Sequence, residues 1–178
     1  AWAKHFRNHY CLDTEIDVLR GRRTRQDYLN SVKFPCRTSK LGPGIRAGDF
    51  GEILVADYLQ WLLGFCVPRV RWASKFIRDE SPKGSDVIGF RFHKKGGQSP
   101  EDVLVVFETK TKFSNSDKNR MQDVINHSAK DHLRIDESLN FIKQKLFERK
   151  ELKQVQLIER FQSPVDAPES PVPPRPDP

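Results

Sequence analysis

The chain has 178 residues, of which 31 are Lys or Arg and 24 are Asp or Glu, giving a formal charge of +7 and a pI near 9.4. A chain of this length is expected to form one domain that buries about 70% of the surface its unfolded form exposes. The basic balance favours an anionic partner, and three cysteines without CxxC spacing indicate a reducing compartment and no structural zinc. No apolar run reaches the roughly 18 residues of a membrane span, and no signal-peptide pattern opens the sequence. We therefore expect a soluble cytoplasmic protein.

Residues 1–45 form a basic, irregular segment with short helical patterns that ends in the turn-rich "LGPG". We expect this segment to pack on the core. His5, His9 and Cys11 belong to residue types that bind zinc, but a structural zinc site needs four ligands and no second pair follows at suitable spacing. We interpret them as structural residues.

The clearest helix is predicted over residues 47–64, "AGDFGEILVADYLQWLLG". Gly64 stands where a helix C-terminus is expected, and Asp49 followed by Glu52 matches a capping box. On this segment alone, capping is the favoured role of Glu52. An amphipathic stripe with spacings of three and four is formed by Phe50, Ile53, Leu54, Tyr58, Trp61 and Leu62.

Residues 66–110 are predicted to form strands. The stretch "CVPRVRW" is short, and Pro68 confines it to a sheet edge or a strand start. The stretches 84–92 and 103–110 are joined by a polar loop with Gly-Gly and Ser-Pro turn signals, which indicates an antiparallel hairpin. Ile88, Phe90 and Phe92 are expected on one face of its first strand.

Beyond the hairpin, the pattern predicts a helix from about residue 117, broken near Asp131, and a last strand in "KQVQLIERF". Residues 163–178 hold seven of the twelve prolines and are expected to form a disordered tail. The expected organisation is a basic segment at 1–45, a core at 46–162 and the tail at 163–178.

The end of the predicted hairpin is a candidate site. If Phe92 pairs near Asp102 or Val103, then Asp86 lies opposite Glu108 or Thr109, and Lys110 shares the face of Glu108. Two carboxylates this close repel each other unless a cation lies between them, and a hard divalent ion with oxygen ligands suits that position. Lys110 would then hold or deprotonate a water, or neutralise charge on a phosphate. The alternative is a solvated strand end.

These residues carry a resemblance. Ser85-Asp86 with Glu108-Thr109-Lys110 resembles the PD-(D/E)xK restriction-endonuclease-like superfamily, and the order of helix, hairpin and helix is similar. The resemblance implies an α+β fold: a restriction-endonuclease-like core with a mixed sheet and a catalytic β-hairpin flanked by helices. It also implies a metal-binding role for Glu52, which stands where the superfamily often places another acidic ligand.

Three longer strings are similar to the HamA nuclease subunit of Hachiman anti-phage defence systems: "KLGPGIRAGDFGEILVADYL", "SPKGSDVIGF" and "SAKDHLRIDESLN". This resemblance implies Mg²⁺-dependent hydrolysis of DNA, with Mn²⁺ as a substitute, beside a superfamily-2 helicase partner, HamB. It implies catalytic roles for Glu52, Asp86, Glu108 and Lys110. The implied metal ligands are Asp86, Glu108, the carbonyl near Thr109, and Glu52.

Lys83, Lys112 and Gln122 are candidate DNA contacts, with an ordinary surface role as the alternative for each. Two other functions stay open. One is a catalytically silent module of the same fold that binds nucleic acid or a helicase, although the intact Asp-Glu-Lys set argues against it. The other is a repair or restriction nuclease of another lineage, against which the long similar strings argue.

Overall fold

The computed structural model describes residues 2–93, 97–111, 120–131 and 134–162. The N-terminal elements are α1 (Trp2–Tyr10), α2 (Asp13–Leu19), α3 (Arg25–Tyr28) with a π-helical turn (Leu29–Lys33), and α4 (Gly42–Asp57) with a π-helical turn (Tyr58–Leu62). They are followed by β1 (Val87–Arg91), β2 (Val103–Phe107), α5 (Arg120–Asp131), α6 (Ile135–Glu148) and α7 (Leu152–Glu159). The architecture is α+β. Within the described ranges, no helix combines the length and apolar character needed to cross a membrane.

The predicted antiparallel hairpin is confirmed. β1 and β2 pair with Val87 opposite Phe107 and Arg91 opposite Val103, so Asp86 stands across from Glu108 by extension. Both strands are shorter than predicted, five residues each. The described residues form a sheet of two strands.

Two clusters of buried side chains pack on opposite sides of β1. The first joins Val87 to Tyr10 of α1 and to Ile53, Ala56 and Leu59 of α4. The second joins the other face of β1 to α6 and α7; its members include Ile88, Phe90, Leu139, Ile142, Leu146 and Ile158. β1 thus lies between the two clusters, and Asp86 directly precedes its first residue.

Helix α4 begins at Gly42, five residues before the predicted start, because Pro43 in the first turn suits a helix N-terminus. The "LGPG" stretch therefore opens a helix instead of ending an irregular segment. Asp49 lies in the middle of α4, so its predicted N-cap role is wrong. Its buried carboxylate accepts a hydrogen bond from the Tyr10 hydroxyl at 2.6 Å and pairs with Lys75 Nζ at 2.6 Å.

The predicted apolar stripe of this helix is only partly right. Ile53 is fully buried, but Tyr58, Trp61 and Leu62 are 50, 69 and 73% exposed. The buried face instead includes the carboxylates of Asp49 and Glu52, which a hydrophobicity pattern assigns to solvent. The predicted stop is confirmed, since Gly64 has a φ of +70°.

Two predicted strands are wrong. Residues 66–72 contribute a single bridge between Cys66 and Phe90, because Pro68 has no N–H to continue the ladder. Residues 153–161 belong mostly to α7, in which Val155 and Ile158 are three apart and both face the second cluster. The predicted break near Asp131 is confirmed, because α5 ends there and α6 begins at Ile135. The tail at 163–178 lies outside the described residues.

A polar network ties α1 to α4. His5 Nε2 lies 3.0 Å from both carboxylate oxygens of Asp57, and Arg69 Nη2 lies 2.6 Å from the same carboxylate. Arg69 Nη1 donates to His9 Nε2 at 2.5 Å, so His9 Nδ1 carries the proton donated to the His5 carbonyl at 2.9 Å. Although ligand atoms of His5, His9 and Asp57 lie within 4.8 Å of one another, the Arg69 cation already contacts two of them. The network therefore holds the two helices together through the Arg69 cation.

We expect this network to weaken in mild acid. Burial, with a smaller contribution from the neighbouring Arg69, lowers the pKa of His9 from 6.5 to about 4. Between these two pH values, His9 is protonated in the unfolded chain but stays neutral in the folded chain. The contribution of His9 to the free energy of unfolding is therefore complete above pH 6.5 and is lost as the pH falls toward 4. The loss amounts to roughly 3 kcal/mol. Thermal unfolding of His9→Gln should show a flatter pH dependence across this window, and an unchanged slope would contradict the assignment.

Candidate active site

The site is built where α4 approaches the segment that follows β2. A Cβ placed on Gly51 would lie 2.1 Å from the Thr111 side-chain oxygen, so a larger residue at this position would force the Thr111 side chain to move. The contact brings Glu52, the next residue of α4, toward the segment Glu108–Lys110 that follows β2. The packing of helix on strand thus assembles residues far apart in sequence.

Asp86 is held by the residues around it. Its Oδ2 accepts hydrogen bonds from the Thr109 backbone N–H at 2.9 Å and from the Thr109 hydroxyl at 3.2 Å. Its Oδ1 accepts from Arg71 Nη2 at 3.1 Å. The side chain is only 12% exposed. Thr109 therefore orients Asp86 in the ligand-free protein.

Glu108 is part-buried and lies across the hairpin from Asp86, with a side chain 8% exposed. It forms an ion pair with Lys110, and His127 Nδ1 of α5 lies 3.3 Å from the same carboxylate oxygen. His127 is not among the candidates named from the sequence. No spacing pattern links it to Glu108, because the contact depends on how α5 returns to the hairpin.

Glu52 is buried and its Oε2 accepts two hydrogen bonds, from Arg71 Nε at 3.2 Å and from Trp72 Nε1 at 3.1 Å. The structure thus gives Glu52 a role other than the capping suggested by its position. Asp86, Glu108, Thr109 and Lys110 are brought together directly, whereas Glu52 joins them through Arg71.

Arg71 is the site residue that the sequence did not reveal. Its guanidinium contacts both Glu52 and Asp86, and it also donates to the carbonyls of Pro82 at 2.8 Å and Ser85 at 2.9 Å. The side chain is 10% exposed. In the sequence it stands between two apolar residues of a presumed edge strand, where an arginine usually faces solvent.

The site has more negative than positive charge. Three carboxylates with little exposure, the buried one of Glu52 and the part-buried ones of Asp86 and Glu108, are directly paired with two cations, Arg71 and Lys110. Burial raises the pKa of Glu52 to about 7, and burial together with the Glu108 charge raises the pKa of Asp86. An additional cation would relieve this imbalance. The oxygen-rich donor set therefore fits a hard divalent ion.

The remaining candidates are more peripheral. Lys83 is exposed and lines, together with Arg71, Asp86 and Ser138, a cavity of about 180 Å³ beside the carboxylates. Gln122 is exposed on α5 and donates a hydrogen bond to Asn126 at 3.1 Å. Lys112 lies outside the described residues.

Comparison with known proteins gives one family match. The family model described as HamA matches residues 1–175. A search of curated proteins found no match, and a search of solved structures found none. Since the matched region covers nearly the whole sequence, the chain belongs to the HamA family.

Proposed function

We propose that the chain is the nuclease subunit of a Hachiman-type anti-phage defence complex and hydrolyses DNA phosphodiester bonds with a divalent metal ion. The observation that carries the proposal is the set of one buried and two part-buried carboxylates near Lys110, at the end of the hairpin of a HamA-family chain. In this proposal, helix α4, the hairpin and the later helices form a restriction-endonuclease-like core. Family membership supports the defence role.

Asp86 and Glu108 would hold the ion, with the carbonyl near Thr109 as a further ligand. A bound Mg²⁺ or Mn²⁺ supplies Lewis-acid chemistry to a phosphodiester and makes a nucleophilic water more acidic. Thr109 prepares the site by fixing one oxygen of Asp86 through its N–H and hydroxyl. Glu52 would contact the ion directly or through water.

Lys110 would orient the attacking water and stabilise negative charge on the phosphate in the transition state. Its pairing with Glu108 keeps the ammonium group next to the proposed metal ligands. Lys83, Lys112 and Gln122 would contact the DNA backbone. The net charge of +7 supports binding through phosphates instead of through base edges.

The proposed partner is a superfamily-2 helicase of the HamB type. A nuclease that binds phosphates without base specificity would attack the host genome unless a partner restrains it. The proposed docking surface comprises residues 1–45 and 131–150, because the carboxylate site does not draw its residues from them. The helicase would hold the nuclease away from intact DNA and release it at damaged or invading ends.

The decisive experiment incubates linear, supercoiled and single-stranded DNA with the purified chain and Mg²⁺, with and without the adjacent helicase. We expect cleavage that EDTA abolishes and that the helicase confines to particular DNA structures. Asp86→Asn serves as the inactive control. If the complex forms but cleaves none of the three DNAs, the silent binding module replaces this proposal.

A further inference from the structure

Arg71 lies between two of the carboxylates proposed to serve the metal. Its Nε is 3.2 Å from Glu52 Oε2 and its Nη2 is 3.1 Å from Asp86 Oδ1. One guanidinium thus bridges a residue of α4 and the residue that precedes β1. A planar cation with several donors is suited to two carboxylates at once.

The bridging cation is fixed in place. Arg71 Nη1 donates to the carbonyls of Ser85 at 2.9 Å and Gly84 at 3.2 Å, and Nη2 donates to that of Pro82 at 2.8 Å. These bonds tie it to the loop that leads into Asp86. Moving a buried arginine that makes this many hydrogen bonds costs free energy, because the guanidinium, the two carboxylates and the backbone carbonyls would all be left without their partners.

Glu52 is likewise held in place by hydrogen bonds. Its Oε2 already accepts from Arg71 and from Trp72 Nε1, and the carboxylate is almost completely buried. A direct metal bond through this oxygen would require both donors to leave. Asp86 differs because it faces Glu108 across the extended hairpin, so that these two carboxylates can share one ion, and Glu108 is paired with Lys110.

We propose that Arg71 takes the place of a second metal cation, so that the site binds one divalent ion, between Asp86 and Glu108, and Glu52 acts through Arg71 instead of as a direct ligand. This inference rests on the proposed metal-dependent activity. The charge balance supports it: with all three carboxylates ionised, they total −1 together with Arg71 and Lys110, one divalent ion changes this to +1, and a second would raise it to +3. Arg71 is therefore a positioning residue.

The test counts Mn²⁺ ions bound to the purified full chain at pH 7.5, by calorimetry and by electron paramagnetic resonance. We expect one ion per wild-type chain and one in Glu52→Gln, with affinities that agree within about threefold. Two ions in the wild type, or loss of the ion in Glu52→Gln, would overturn the inference while leaving the proposed nuclease intact. Absence of any bound ion would overturn the proposed metal site itself.

Arg71→Met tests the cation directly. With Glu52 and Asp86 left uncompensated, we expect the variant to bind an additional Mn²⁺ ion, whereas a merely structural arginine would only weaken binding when removed. Arg69→Met is the matched control, because Arg69 is another mostly buried arginine that pairs with Asp57, and it should still bind one ion. If Arg71→Met does not fold, as judged by circular dichroism, the wild-type and Glu52→Gln counts decide the question.

Discussion

Lys110→Ala should reduce DNA cleavage by on the order of 10³-fold while leaving DNA affinity nearly unchanged. Lys110 stands beside Glu108 just beyond the end of β2, where its ammonium group forms an ion pair with that proposed metal ligand. The fold should survive, because the side chain is 22% exposed and His127 still contacts Glu108. We expect the free energy of unfolding to fall by only about 1 kcal/mol. Single-turnover cleavage, a DNA-binding titration and thermal unfolding measure the three effects.

Lys145→Ala is the matched control. Lys145 also pairs with a nearby glutamate, Glu148, and has a similar exposure of 28%, but it lies on the later turns of α6. Its removal should leave cleavage unchanged. If Lys110→Ala cleaves at the wild-type rate, Lys110 has no part in the mechanism, whatever the control shows.

The central hairpin could be predicted from the sequence because its information is local. Alternation of apolar residues fixes the two faces of each strand, and the turn signals limit the register to one or two alternatives. The observed pairing of Val87 with Phe107 places Asp86 across from Glu108, as expected. The position of the candidate site followed from that register alone.

Helices packed through polar groups could not be predicted in the same way. Asp49 and Glu52 lie on the buried face of α4 because Lys75, Arg71 and Trp72 supply partners from a distant loop. Hydrophobic periodicity contains no information about such partners, so it assigned the exposed Trp61 to the core. The strand predicted in place of α7 is wrong for another reason: eight residues with four apolar positions fit either a strand or a helix, and packing on α6 decides between them.

The role of Arg71 could not be predicted either, because its partners are polar and distant in sequence, and because the short stretch around it does not form the predicted strand. Its function depends on two carboxylates that are 19 residues before it and 15 residues after it. No rule of sequence spacing relates Arg71 to these two carboxylates. They come together only in the folded chain, where α4 packs closely against the segment after β2, as the contact of Gly51 with Thr111 shows. The sequence could still have suggested that a basic residue belongs to the site. A cluster of acidic side chains with little exposure needs a cation to compensate its charge, whether or not a metal is bound.

Asp86→Asn and Glu108→Gln should each weaken Mn²⁺ binding by on the order of 100-fold and abolish cleavage, yet they should change the stability of the metal-free protein in opposite directions. Asp86 accepts hydrogen bonds from Thr109 and Arg71, so its neutralisation leaves a buried arginine undercompensated and should cost about 1–3 kcal/mol. The Glu108 charge raises the pKa of Asp86, which means that the two carboxylates repel each other. Removing that charge should therefore slightly stabilise the protein when no ion is present.

Asp102→Asn separates these effects from the general loss of an aspartate. Asp102 lies at the other end of the hairpin, where its carboxylate accepts the His93 backbone N–H at 2.8 Å and pairs with Arg160. The Asp102→Asn variant should be destabilised about as much as Asp86→Asn, but it should bind Mn²⁺ and cleave DNA like the wild type. Unchanged calorimetric Mn²⁺ binding in both site variants would refute a metal ion shared by Asp86 and Glu108. Equal destabilisation by the two site variants would instead show that pairing with Lys110 outweighs the repulsion, because the ammonium group would then stabilise the Glu108 charge more than Asp86 opposes it.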